Sequence, residues 1–317
     1  MERNLAMEVV RVTEAAALAS ARFMGRGDEM TADQAAIEAM RNAFNAIAID
    51  GTVVIGEGPA DAMPMLYVGE RVGAGQGPQT EVALDALEGA ASCATGGHNA
   101  LAVIAIAEHG TFLRVPETYM EKLACGPEGR GVVDLDRSAT DNLKALAEAK
   151  GMYPEDLTVA ILDRPRHDKL IDEVRQTGAR IKLLSSGDVA AALATTKPES
   201  GIDILLGTGG AAQGILAAAA LICLGGEMQA CLKPRNEHES GQLRALGLFD
   251  LRRKYDLEDL ASGSVMFAAT GVTPGDYLAG VRYVRGGAIT NSVVMRSTTR
   301  TVRFIEAHHH FERSPEY

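Results

Sequence analysis

Apolar residues recur at helical spacing from Leu5 to Phe23, and Gly25-Arg26-Gly27-Asp28 then interrupts the run. Thr31-Ala32-Asp33-Gln34 reads as a capping box that opens a second helix, predicted to reach about Ala46. After the turn signal Asp50-Gly51, the apolar run Thr52-Val53-Val54-Ile55 predicts a buried strand that stops at Gly56-Glu57-Gly58. Further short apolar runs predict strands at Val82–Leu84, Leu101–Ile106, Thr158–Leu162, Ile181–Leu184 and Ile204–Leu206. Amphipathic or alanine-rich stretches between them predict helices at Asp141–Lys150, Asp168–Thr177 and Gly214–Leu224. This alternation points to an α/β fold in layers. Around Ala149-Lys150-Gly151-Met152-Tyr153-Pro154 a helix closes before a fresh strand-helix-strand unit, so the chain is divided there into 1–153 and 154–317. His308-His309-His310 is expected in a mobile or partly packed tail, because three successive histidines cannot all face one metal from regular structure.

Composition narrows the class. At 317 residues and 46% hydrophobic content the chain can bury a large core, and 4% aromatics with no Trp suits close helix-on-sheet packing. A net charge of -11 argues against nucleic acid or an anionic membrane as partner. Cys93, Cys125, Cys223 and Cys231 form no Cys-x-x-Cys pair, no signal peptide is expected at Met1-Glu2-Arg3-Asn4, and no run is long enough for a membrane span. A cytoplasmic protein is expected.

The candidate chemistry is acidic. In Asp85-Ala86-Leu87-Glu88-Gly89-Ala90, Asp85 is expected at a strand's end and Glu88 one turn further on. Two carboxylates held that close repel each other unless a hard divalent cation sits between them. Alone, the pair reads first as solvated acids on a turn, since acidic turns are common. Glu57 follows a strand between two glycines that let the backbone approach a ligand, and Asp61 lies in a loop framed by Pro59 and Pro64. Asp33, expected in a helix's first turn, could simply complement the helix dipole. Together, however, Glu57, Asp85 and Glu88 repeat one device, carboxylates at the carboxyl ends of strands, where open α/β sheets bind ligands.

These blocks, with Gly25-Arg26-Gly27-Asp28, Asp50 to Gly58, Pro64-Met65-Leu66-Tyr67-Val68-Gly69-Glu70, Tyr119-Met120-Glu121-Lys122-Leu123, Asp163-Arg164-Pro165-Arg166-His167 and Phe267 to Thr273, resemble the class II (GlpX) fructose-1,6-bisphosphatases over essentially the whole chain. These belong to the lithium-sensitive, metal-dependent sugar phosphatases. The resemblance implies a layered αβαβα sandwich of two α/β halves, the N-terminal one binding metal and the C-terminal one sugar phosphate. It implies hydrolysis of the 1-phosphate of fructose 1,6-bisphosphate, and in some members of sedoheptulose 1,7-bisphosphate, with Mg²⁺ or Mn²⁺, in a homodimer or homotetramer. Asp33, Glu57, Asp85, Glu88 and Gln213 fall on its metal positions, and Asp61 and Glu57 on catalytic ones. Tyr119, Arg164, Arg166, Asp188 and Gly210 fall where the sugar and its other phosphate are held. Guanidinium forks suit phosphate oxygens. His167 could join them or be a packed core histidine.

The departures from the family pattern gather at reactive positions. Ala86 and Ala90 replace the proline and threonine of Asp-Pro-Leu/Ile-Glu-Gly-Thr, and that threonine's hydroxyl is the group expected to orient the attacking water. Gln213 replaces a glutamate ligand, which should weaken metal binding. Pro59, Glu29-Met30, Ser186 and Cys231 replace further charged residues of the pattern. Two readings follow: a working sugar-bisphosphate phosphatase, or a catalytically impaired relative that binds a sugar phosphate or serves as a regulatory or oligomeric partner. The glycines of 207–214 lack both the G-x-G-x-x-G spacing and a P-loop ending, so no nucleotide site is expected there.

Overall fold

The computed structural model describes residues 5–311; Met1–Asn4, where no signal peptide is expected, and residues 312–317 lie outside it. The chain forms two compact units, one made of the residues up to Phe112 and from Gly263 onward, the other of Leu113–Ser262. Helices α1 (Leu5–Ala21) and α2 (Glu29–Phe44) open the first unit, followed by β1 (Asp50–Ile55), β2 (Arg71–Val72), β3 (Gln79–Glu88), α3 (Ala90–Thr95) and β4 (Leu101–Ala107). The second unit runs through β5 (Tyr119–Cys125), α4 (Ala139–Lys150), β6 (Thr158–Leu162), α5 (Asp168–Gln176), β7 (Arg180–Leu184) and α6 (Asp188–Ala194). It continues with β8 (Ile204–Gly210), α7 (Ala211–Leu224), β9 (Glu227–Lys233), α8 (Glu237–Ala245), β10 (Lys254–Asp256) and α9 (Leu257–Leu260). The chain then returns to the first unit as β11 (Val265–Gly271), β12 (Arg282–Val284), β13 (Gly287–Arg296) and β14 (Thr301–His310).

Each unit is built on one mixed sheet. In the first, the strand order is β12-β13-β11-β4-β3-β1-β2, with β14 added along β13, and only β1 and β3 run parallel. Helix α1, nearly all small or branched, buries Val9, Val12, Ala16 and Ala17 in one core with Met266, Ala268 and Val294 of the sheet. In the second, the order is β10-β9-β5-β8-β6-β7, with β8, β6 and β7 parallel and the rest antiparallel. There α4 and α5 bury Leu143, Leu146 and Val174 with Leu123, Ile161 and Leu206. The α/β class expected from the alternation of elements holds for both.

Four particulars differ from the sequence reading. The break at 153/154 falls inside the second unit, because β5 pairs with β8 and β9 and the last four strands pair back into the first sheet. Helix α2 is capped by Asp28, whose carboxylate accepts the Thr31 N–H at 3.0 Å, so Asp33 lies one turn deeper than a first-turn acid. Asp85 and Glu88 both lie within β3, which runs on to Glu88. Finally, His308, His309 and His310 belong to β14, paired residue by residue with Ile289, Ala288 and Gly287. Strand alternation leaves His308 and His310 exposed and turns His309 inward, where its Nε2 lies 2.8 Å from the Thr290 hydroxyl.

Candidate active site

In the first unit the acids gather around the ends of β1 and β3. After Ile55 the chain passes through Gly56, where a Cβ would strike the Leu66 carbonyl, and the Glu57 N–H donates to that same carbonyl at 3.0 Å. Glu57 then reaches across to β3, where its Oε1 accepts the Ala86 N–H at 2.7 Å. That amide is spare because β3 bulges: pairing with β4 passes from Asp85–Val103 to Glu88–Leu101, so two residues stand opposite one. A proline at 86 would offer Glu57 no such donor. The bulge also separates Asp85 from Glu88, which ends the strand buried. Gly89, at φ 86°, turns the chain directly into α3, whose first residue is Ala90.

The electrostatics of this group are one-sided. Burial pushes the Glu57 carboxyl well above the usual carboxylate range, the charge of Asp85 pushes it further, the Ala86 N–H pulls it back, and Asp33 adds to the rise. Asp33 is itself raised, first by burial and then by Glu29 one turn before it. The glutamate at 29 therefore acts on Asp33 as a like charge in the i,i+4 position. Asp61 is exposed on the turn closed by the Ala62 and Met63 amides on the Pro59 carbonyl, and the charges acting on Glu57 are those of Asp85 and Asp33. Among the described residues no three His, Cys, Asp or Glu side chains are already gathered as a metal-ligand set. The donor chemistry nevertheless suits a hard divalent cation: carboxylate oxygens close enough to repel one another, in a region where burial makes their charge costly.

In the second unit the candidate binding residues sit on a shared rim. Tyr119 at the start of β5 is in direct register with Gly210 at the end of β8 and Lys233 at the end of β9. Arg164 follows β6 and donates to the Asp163 and Ser185 carbonyls at 2.7 and 2.8 Å. Arg166 donates from Nε and a terminal nitrogen to the Thr208 carbonyl at 3.0 and 2.8 Å, with its Cζ 4.8 Å from the Tyr119 ring centroid. Both guanidiniums are thus fixed by backbone and keep further N–H groups for a ligand.

His167 takes the packed alternative. It is buried, its Nδ1 lies 2.7 Å from the Leu162 carbonyl, and its Nε2 accepts the Thr208 N–H at 2.8 Å. With both nitrogens engaged it fastens the arginine loop to β8 and has no donor left for a phosphate, and burial holds it below the usual histidine range. Gly207, at φ 131°, lies against its ring. Asp188 begins α6, buried, and is ion-paired with Lys122, which is 2% exposed and also donates to the Gly210 carbonyl at 3.0 Å. Sequence reasoning gave Lys122 no role. Its signal was a lysine between Met120 and Ala124 on the buried face of a strand, which demands an anionic partner. Gln213 is the third residue of α7, and its side-chain oxygen folds back over Gly210, leaving no room there for a Cβ.

Comparison with known proteins fits this picture. Residues 3–309 match the family described as bacterial fructose-1,6-bisphosphatase, glpX-encoded. The D-fructose 1,6-bisphosphatase class 2/sedoheptulose 1,7-bisphosphatase of Synechococcus elongatus is 42% identical over 337 residues, covering 98% of each chain. A fructose-1,6-bisphosphatase 1 class 2 of Escherichia coli is 43% identical over 327 residues, covering 99% of this chain and 97% of that one. The two mixed α/β sheets are consistent with the sugar-phosphatase sandwich. The chain therefore belongs to the class II, GlpX-type fructose-1,6-bisphosphatase family of divalent-metal-dependent phosphoric monoester hydrolases.

Proposed function

We propose that this protein hydrolyses the 1-phosphate of fructose 1,6-bisphosphate, and the corresponding phosphate of sedoheptulose 1,7-bisphosphate, in the cytoplasm as a homodimer or homotetramer. The observation that carries the metal side of this reading is the placement of Glu57, which reaches from the end of β1 to the Ala86 N–H at 2.7 Å in the bulge that separates Asp85 from the buried Glu88. Asp33, Glu57, Asp85 and Glu88 would hold Mg²⁺ or Mn²⁺. When bound, such ions neutralise phosphoryl oxygens and acidify a water. Asp61 is exposed and would serve as the base toward an attacking water, while Glu57 is fixed by Ala86 on one oxygen and keeps the other for a ligand. On the second unit, Arg164 and Arg166 bind the phosphate that is not cleaved. Tyr119, Asp188 and the Gly210 backbone orient the sugar.

A specific observation favours a slower variant of this activity. Ala90 opens α3 directly after Gly89 and carries no hydroxyl to orient a water. Loss of one such group costs on the order of 10² to 10³ in rate. Phosphate release from fructose 1,6-bisphosphate, sedoheptulose 1,7-bisphosphate and other sugar phosphates, with Mg²⁺ or Mn²⁺ supplied, tests both readings. Turnover confined to ketose bisphosphates supports the proposal. No release from any of them with either metal leaves the impaired, ligand-binding form.

A further inference from the structure

The Tyr119 ring carries a second guanidinium that no sequence reading singled out. Arg235 lies two residues beyond the end of β9, and its Cζ is 4.7 Å from the ring centroid, against 4.8 Å for Arg166. The two cations can be no further apart than these two distances added. The position follows from the sheet: Tyr119 is in register with Lys233, so the residues just past β9 emerge beside it, as Gly210 does from β8 on the other side.

Arg235 is also held. Its Nε pairs with Glu239 at 2.5 Å, and its backbone N–H donates to the other oxygen of that carboxylate at 2.9 Å. Glu239 is buried, accepts the Thr118 hydroxyl at 2.8 Å, and is positioned by its own N–H donating to the Asn236 side chain at 3.0 Å. On the rim, a terminal nitrogen of Arg235 contacts Glu117, and Lys233 pairs with Glu121 at 2.9 Å. The Arg235 side chain remains 41% exposed. A buried carboxylate thus clamps one edge of a guanidinium whose plane rests on an aromatic ring and whose remaining N–H groups face solvent beside a second, similarly fixed guanidinium. Two like charges brought to one ring repel each other, and a dianion accepting hydrogen bonds from both relieves the repulsion while using forks that are already oriented.

We infer that Arg235 is a second ligand of the uncleaved sugar phosphate, which Arg166 and Arg235 grip together beside Tyr119. This rests on the sugar-bisphosphate reading above, and the alternative is that Arg235 only packs its loop onto Tyr119. The test uses the full chain with Mg²⁺, comparing wild type with Arg235→Ala, Arg235→Gln and Arg166→Ala. Calorimetric titration with fructose 6-phosphate, which carries only the uncleaved phosphate, is set beside KM and kcat for fructose 1,6-bisphosphate and the thermal midpoint. Loss of one charge-assisted phosphate contact should weaken fructose 6-phosphate binding and raise KM about 10- to 100-fold in both Arg235 variants, with kcat within about threefold. The glutamine variant guards against a fold defect, since it retains a side chain able to lie on the ring. Unchanged affinity and KM in both Arg235 variants, with Arg166→Ala impaired, overturns the inference while leaving the proposed function standing. So does a loss of kcat and thermal midpoint at unchanged affinity, which marks a packing role. A wild-type chain that binds neither sugar phosphate sinks both.

Discussion

The acidic cluster of the first unit and the candidate binding rim of the second handle charge in opposite ways. Around Glu57, carboxylates crowd one another, and the help Glu57 receives is a backbone N–H from Ala86. Around Asp188, by contrast, a buried carboxylate is met by a buried lysine, which also holds the Gly210 carbonyl, and Arg235 is met by Glu239. The first arrangement is costly as it stands, and a cation between the carboxylates would make it favourable. In the second, Asp188 and Arg235 already have counter-charges, which fix the donors and acceptors that a ligand would meet. Crowded like charges therefore mark where a ligand must bring the counter-charge, and paired charges mark what holds the site in shape.

The largest expected effect breaks the comparison on the acidic side. Ala90→Thr restores a hydroxyl at the start of α3, and phosphate release should rise by about 10² or more. No gain in a metal-supplied assay would place the defect elsewhere in the site. On the scaffold side, Lys122→Met strands Asp188 without its cation and should cost about 3–5 kcal/mol in urea unfolding. Adding Asp188→Leu to that variant should recover most of the loss, and a double variant as unstable as the single one would show that the pair contributes more than mutual neutralisation.

Ala86→Pro probes the bulge. It removes the donor to Glu57 without breaking a ladder bond, because Ala86 lies in the unpaired gap of β3, so unfolding stability should fall by only about 1 kcal/mol. The freed oxygen should tighten Mn²⁺ binding by calorimetry, and weaker binding would show that the amide instead aims Glu57 at the metal. The smallest effect concerns pH. Burial raises the Glu14 carboxyl, against a hydrogen bond from Thr290 that lowers it. The folded protein therefore binds this proton more tightly than the unfolded chain, and the contribution of Glu14 is greatest below the ordinary glutamate pKa and is lost as pH rises through the elevated one. Glu14→Gln should flatten that part of the stability–pH curve, and an unaltered slope would clear Glu14 as its source.

Elements whose reasons lie within a dozen residues were legible in the chain. Strand β6 at Thr158–Leu162 and helix α5 from Asp168 match the runs that predict them, because a short branched stretch and an amphipathic period are local signals. Strands β5, β9, β11 and β13, the edge strand β14 and the short β2, β10 and β12 were not seen. The polar-interrupted stretch Glu227–Lys233 and the histidine-ending Thr301–His310 become strands through their pairing with β5 and β13. Likewise Asp33, Glu57, Asp85 and Glu88 stood out as candidates, while Lys122, Arg235 and the backbone commitments of His167 did not, since each is defined by partners 40 or more positions away or by a register shared across strands.

By itself, the sequence determined the α/β class, which follows from local periodicity, and the family, which its motif blocks resemble, and it singled out candidate acids and arginines by residue type. Only the tertiary structure decided that the chain returns to its first sheet after Gly263, that a bulge hands the Ala86 amide to Glu57, and that Tyr119 is shared by two arginines. Strand register and the burial of a charge are settled by which distant segments pair. No local pattern of residues encodes that choice.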